Sequence, residues 1–214
     1  MGWWSTRVVP RLVDAACAAP ELDPWRQRVC AGLSGQVLEV GFGSGLNLRH
    51  LPEEVTGLAA VEPSDLGWEL SKGRRGRSTV PVTRVGLDGQ RLTVDESSVD
   101  AVLCTFTLCT VEDAAAVLTE IARVMAPGGR LHLLEHGLSP APGVARWQRR
   151  LNPVQRRLCG GCQLTRDVPA LLAGSGFTPV ELVEQHLLRR PAPPWTWGTL
   201  AVATVTATPG PAGS

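Results

Sequence analysis

The sequence predicts an α/β fold: a doubly wound, mostly parallel seven-stranded sheet with a C-terminal antiparallel hairpin and an N-terminal helical lid. Three observations predict it. Five strand-like runs alternate with helical or loop segments between Gln36 and Glu135, which implies parallel strands joined by right-handed crossovers. Two further runs, Thr178–His186 and Gly198–Thr206, have no helix between them, as in a hairpin added at one edge. Ahead of the strands, residues 1–34 carry scattered apolar positions at helical spacing.

Composition sets the frame. The 214 residues are 43% hydrophobic and 19% charged, with a net charge of +1. That is ordinary globular composition, without the electrostatic footprint of a nucleic-acid partner. Six cysteines in a chain this long do not suggest a disulfide scaffold. Arg7, Arg11 and Asp14 interrupt the early apolar residues, so no secretory signal is read there. No run approaches the roughly 18 apolar residues of a membrane span. The expectation is a cytoplasmic protein with a helical lid over 1–34, a main domain over 35–208 and a flexible tail over 209–214.

The elements follow in order. Trp3, Trp4, Val8, Val9, Leu12 and Val13 could share one helical face, with Pro10 near a bend; Asp23-Pro24 breaks the segment and a second helix runs over about 25–33. Gln36–Val40 reads as strand one and Leu46–Leu51 as a helix leaving the loop after it. Leu58–Val61 is strand two, and Ser64 or Asp65 can cap the helix that follows. Lys72–Arg77 reads as a solvated basic loop. Val80–Val85 and Val99–Thr105 are strands three and four. Ala114–Met125 is an amphipathic helix, capped by Glu112 or Asp113, which Pro127-Gly128-Gly129 stops ahead of strand five, Arg130–Glu135. Asp167–Ser175 is a last helix.

The most informative segment is Glu39-Val40-Gly41-Phe42-Gly43-Ser44-Gly45-Leu46-Asn47. It follows a strand and opens a helix, the context in which a glycine-rich loop binds a ligand. Glu62, ending strand two, suits ribose hydroxyls at the sheet's switch point. A dinucleotide fingerprint wants Gly or Ala five positions after the first glycine, and Leu46 stands there. The third glycine, Gly45, comes one position early, and Glu39 precedes the loop by two residues. Both features favour S-adenosylmethionine over NAD.

This segment resembles motif I of the class I S-adenosylmethionine-dependent methyltransferases. The resemblance extends over about residues 35–186, through Glu62, Asp88-Gly89-Gln90, Val99–Val102 and Arg123–Gly129. It implies that Gly41, Gly43 and Gly45, with Glu39 beside them, border the methionine half of the cofactor. Glu62 would hold the ribose, and Asp88 with Gly89 would border the adenine. Thr105 would lie under the methionine part and Asn47 would orient its amino-acid end; the product is S-adenosylhomocysteine.

The acceptor is narrowed by Leu134-Glu135-His136-Gly137, Trp147-Gln148, Asn152-Pro153 and Gly161-Cys162-Gln163-Leu164-Thr165-Arg166. Their order resembles the alkyl-thiol methyltransferases and their bacterial relatives, which implies a small thiol as acceptor. N-, O- or C-methylation of a lipid, quinone or natural product is the alternative within enzymes; a cofactor-binding protein without turnover is the alternative outside them. A thiol needs a base or a positive field to react near neutral pH. His136, at the carboxyl end of strand five, is the candidate base. Trp4, Trp147 and Arg166 are candidate substrate contacts, Arg166 with a structural alternative. Cys159-Gly160-Gly161-Cys162 reads as a glycine turn flanked by small buried thiols. A zinc reading of it needs two further ligands, and no metal is expected.

Overall fold

A computed structural model describes residues 8–188 and 192–206. The expectations for Trp3, Trp4 and the tail over 209–214 lie outside these residues. The sheet has seven strands: β1 (Gly35–Val40), β2 (Val55–Val61), β3 (Val82–Gly86), β4 (Val99–Thr105), β5 (Met125–His136), β6 (Phe177–His186) and β7 (Trp197–Val205), in the order β3-β2-β1-β4-β5-β7-β6. The first five are parallel; β7 pairs antiparallel with β5 and with β6. Among the described residues, seven α-helices accompany it: α1 (Val9–Cys17), α2 (Asp23–Cys30), α3 (Asp65–Leu70), α4 (Lys72–Arg75), α5 (Ala114–Val124), α6 (Pro142–Leu158) and α7 (Val168–Gly174).

The sheet is buried on both faces because its central strands are apolar in both registers. On one face Val102, Cys104, Leu131 and Leu133 pack with Val117, Leu118, Ile121 and Val124 of α5 and with Leu172 of α7. On the other Ala101, Leu103, Leu134 and Leu200 pack with Val29 and Cys30 of α2 and with Leu33. The end of the 1–34 segment is therefore core, and α2 sits directly on the sheet. Pro24 does not end a helix here; it lies in the first turn of α2, where its missing N–H has no intrahelical partner to lose.

Caps fall where the side chains can make them. Ser64 accepts from the Gly67 amide, Asp113 from Ala116 and Asp167 from Ala170. Several elements differ from expectation. The helix expected over Leu46–Leu51 is a single turn, Leu48–His50, because Leu51 is extended ahead of Pro52. Lys72–Arg75 is a short helix and not a loop. Strand β5 begins at Met125, with Pro127-Gly128-Gly129 bulged out of register between Val99 and Ala101 of β4. Helix α6 has no counterpart among the expected elements. Among the described residues, no helix is long and apolar enough to cross a membrane.

Candidate active site

The site lies at the carboxyl ends of β1, β2, β4 and β5, where an open parallel sheet leaves a crevice. Gly41, Gly43 and Gly45 all take positive φ, 79°, 58° and 76°, which side chains rarely adopt. A Cβ on Gly41 would meet Thr107 Oγ1 at 1.9 Å, whereas one on Gly43 would meet nothing within 4 Å. The loop is thus packed from behind and open in front. Glu62 fixes it from β2: its carboxylate accepts from the Gly43 amide at 2.6 Å and the Ser64 amide at 2.7 Å. Burial raises its pKa, and those two amides work against the rise. Gly67 lets α3 approach, since a Cβ there would sit 3.1 Å from Glu62 Oε1. Gly89, after β3, packs on Val40, while exposed Asp88 accepts from the Gln90 amide.

Behind the loop runs a buried polar chain. Asn47 Nδ2 donates to Glu39 Oε1 at 2.7 Å and to Thr105 Oγ1 at 2.9 Å. Its Oδ1 accepts from Arg26 Nη1 at 2.6 Å. Glu39 is fully buried, which pushes its carboxyl up to about 8, with Asn47 and then Arg26 opposing. Burial likewise lowers Arg26. The sequence offered no signal for Arg26, which sits in a helix read as lid. Ser44 donates to Asp14 of α1, and Arg74 of α4 both bonds the Ser44 carbonyl and pairs with Asp14. The basic run therefore helps to clamp the loop.

From this chain the site continues toward β5. Arg26 lies over the Phe106 ring, 5.6 Å from its centroid. That ring stacks on His136 at 4.7 Å. Phe106 has φ +54°, a costly conformation for an aromatic residue and one that concentrates at functional sites. Glu135, fully buried beside His136, accepts from the amides of Thr107, Leu108 and Cys109 and so holds the loop after β4. His136 Nδ1 lies 4.0 Å from Cys109 Sγ and 3.6 Å from Cys162 Sγ, and the two sulfurs are 3.6 Å apart. Of these coupled thiols Cys162 is pushed down, by its hydrogen bond with Cys109 and then by His136.

Trp147 and Arg166 are the other expected contacts among the described residues. Trp147 of α6 is 54% exposed, with Arg150 over its ring; it turns to solvent because its neighbour Gln148 takes the buried face. Arg166 donates to the Val111 carbonyl at 2.8 Å, bracing the loop after β4.

The residues fit an adenosyl cofactor with a charged amino-acid end. Glu39 Oε2 is buried and, among the described residues, lacks a hydrogen-bond partner, the loop opens in front of Gly43, and Glu62 retains acceptor capacity. Fold and cradle together define a transferase-type α/β protein that holds an adenosyl cofactor at the end of its sheet. A family model described as a methyltransferase domain matches residues 38–133. The chain is 32% identical to thiol S-methyltransferase TMT1B of Rattus norvegicus over 174 residues, 78% of this chain and 68% of that protein. It is 36% identical to the demethylmenaquinone methyltransferase of Mycobacterium sp. (strain KMS) over 115 residues, 52% of this chain and 47% of that one. The crystal structure of a SAM-dependent methyltransferase from Aquifex aeolicus superposes with a TM-score of 0.64 at 16% identity, covering 92% of this chain and 98% of that one. The chain belongs to the class I S-adenosylmethionine-dependent methyltransferases.

Proposed function

We propose that the chain methylates the sulfur of a small-molecule thiol, as a soluble cytoplasmic enzyme. One observation carries this reading: the side chains run without a break from the cradle to a sulfur-compatible corner. Asn47 touches Arg26, Arg26 covers Phe106, and Phe106 stacks on His136, whose other neighbours are two thiols. The thiol acceptor in the name of the rat relative supports the same reading. When bound, S-adenosylmethionine would supply a methyl group on a sulfonium, which a thiolate would accept in line as S-adenosylhomocysteine leaves.

The chain's residues divide the work. Glu62 and the loop amides hold the ribose side; Glu39, Asn47 and Thr105 orient the amino-acid end; Gly89 and Asp88 border the adenine. Phe106 supplies an apolar wall that excludes water from the acceptor. His136 favours the thiolate at that wall, since a free thiol with a pKa near about 8.5 is mostly protonated at neutral pH. Helix α1, tied to Ser44 through Asp14, acts as the lid. Arg166 serves the site by holding the loop after β4.

Labelled S-adenosylmethionine with a panel of alkyl thiols, amines and phenols tests this. Label is expected in thioethers only. Label in a phenol or quinol instead would assign the acceptor to the quinone alternative. Tight cofactor binding with no product across the panel would favour a protein without turnover.

A further inference from the structure

We propose that Cys109, Cys162 and His136 form a binding site for a zinc-class divalent cation, with the fourth tetrahedral position left for the sulfur of the acceptor. Three soft or borderline ligand atoms from three separate elements converge here, all within 4.8 Å of one another. Their spacing is that of a tetrahedron's corners. Zinc–sulfur bonds of about 2.3 Å and zinc–nitrogen bonds of about 2.0 Å place two sulfurs about 3.8 Å apart and sulfur and nitrogen about 3.5 Å apart. The observed separations are 3.6 Å between the sulfurs and 3.6 and 4.0 Å from sulfur to Nδ1. Two thiolates and one imidazole suit zinc better than calcium or magnesium, which take oxygen ligands.

The corner is built and held. The Cys109 amide is fixed by the buried Glu135 carboxylate at 3.1 Å. Cys162 is brought against it by a glycine pair in left-handed conformations, φ 59° at Gly160 and 92° at Gly161. A Cβ on Gly161 would lie 3.0 Å from the Thr110 carbonyl, so only glycine allows this approach. The Gln163 amide then donates to the Cys109 carbonyl at 2.8 Å. Both cysteines are buried, whereas His136 is partly open. That combination matches a three-ligand site with an accessible position, the arrangement of catalytic zinc rather than structural zinc. Of the Cys159-Gly160-Gly161-Cys162 motif only Cys162 takes part; the other two ligands come from the loop after β4 and the end of β5.

Binding forms two metal–sulfur bonds and one metal–nitrogen bond. The thiol protons of Cys109 and Cys162 leave to solvent, and Nδ1 of His136 must be unprotonated. An acceptor thiol entering the fourth position likewise gives its proton to solvent as its metal–sulfur bond forms. His136 then favours the thiolate as a ligand. The fourth position rests on the thiol reading above; the three-ligand site does not.

The test uses untagged full-length protein, refilled with zinc and dialysed against metal-free buffer, with metal measured by plasma mass spectrometry. One equivalent of zinc is expected, falling at least tenfold in Cys109→Ser, Cys162→Ser and His136→Gln but kept in Cys159→Ser. Cobalt(II) in place of zinc should give the strong visible bands of a tetrahedral site, and added benzyl thiol should intensify its sulfur-to-metal charge transfer. S-adenosylhomocysteine binding identifies variants that fold. A wild type holding well under one equivalent overturns the proposal, as does retention in folded Cys109→Ser and Cys162→Ser variants or loss in Cys159→Ser. A cobalt spectrum unmoved by benzyl thiol while zinc stays bound overturns the fourth position alone. Because metal content is read without turnover, these outcomes are separate from failure of the acceptor panel.

Discussion

Asn47 is an amide because its position demands a donor and an acceptor at once. It donates to Glu39 and Thr105 and accepts from Arg26; an aspartate there would have no N–H to give Glu39 and Thr105. Glu39 itself governs a pH dependence. Burial raises its carboxyl from the ordinary 4.5 to about 8. A group raised in this way binds more protons folded than unfolded, so its stabilising effect is complete below the unfolded value and is lost as pH rises through the folded one. The urea midpoint of ligand-free protein should therefore fall across that window, and Glu39→Gln should flatten the fall. An equal fall in both would remove Glu39 as its cause. On the proposed reading Glu62 holds the ribose. Hydrogen bonds to a charged group are worth about 1.5–3 kcal/mol each, so Glu62→Ala should weaken S-adenosylhomocysteine by tenfold or more in calorimetry. An unchanged affinity would move the ribose elsewhere. Glu39, Glu62 and the glycines were readable from the sequence because loop, acid and strand end are local. Arg26, Glu135 and Cys109 were not, because their partners lie 20 or more residues away.

Elements were readable where apolar periodicity made them. Strand β4 and helix α5 fall within a residue of expectation. Helix α6 was missed because polar side chains hold it in place. Gln148 donates to the carbonyls of Gly137 and Pro194 and accepts from the Ser139 amide, and Asn152 accepts from the Leu164 amide; hydrophobic spacing is blind to such a face. The N-terminal segment divides between two roles that periodicity could not separate. Val29, Cys30 and Leu33 are core, and the Val29 carbonyl bonds His132 Nδ1 at 2.8 Å, whereas α1 touches the loop through Asp14. Deleting residues 1–18 should raise the acceptor KM several-fold and the S-adenosylhomocysteine Kd by less, since Asp14 also ties down the glycine loop through Ser44. Comparable changes in both would argue against a lid. Deleting 1–34 should leave no folded protein, since it strips apolar cover from one face of the sheet.

Across the molecule, the glycine-loop cradle and the His136 corner share one end of the sheet, and Arg26 and Phe106 lie between them. A ligand that joins parts contributed by β1, β2 and β4 stabilises all of them together. At a hundredfold excess over its Kd, such a ligand adds about 2.7 kcal/mol to unfolding. For a chain of this length that is a Tm rise of about 5–10 °C. S-adenosylhomocysteine should produce it in a thermal melt, and NADH at the same concentration should not. A shift with NADH alone would overturn the reading of the glycine loop.

The sequence by itself determined the parallel core, the edge hairpin, the glycine loop with its acid, and hence the cofactor. All of these are written in short-range patterns of apolar alternation, glycine and capping. Only the tertiary structure decided that α2 is core, that Gln148 faces inward and Trp147 outward, and that Cys109, His136 and Cys162 meet. Those facts depend on contacts between residues far apart in the chain. Local spacing carries no record of such contacts until the sheet order brings β4, β5 and the loop after α6 to one corner.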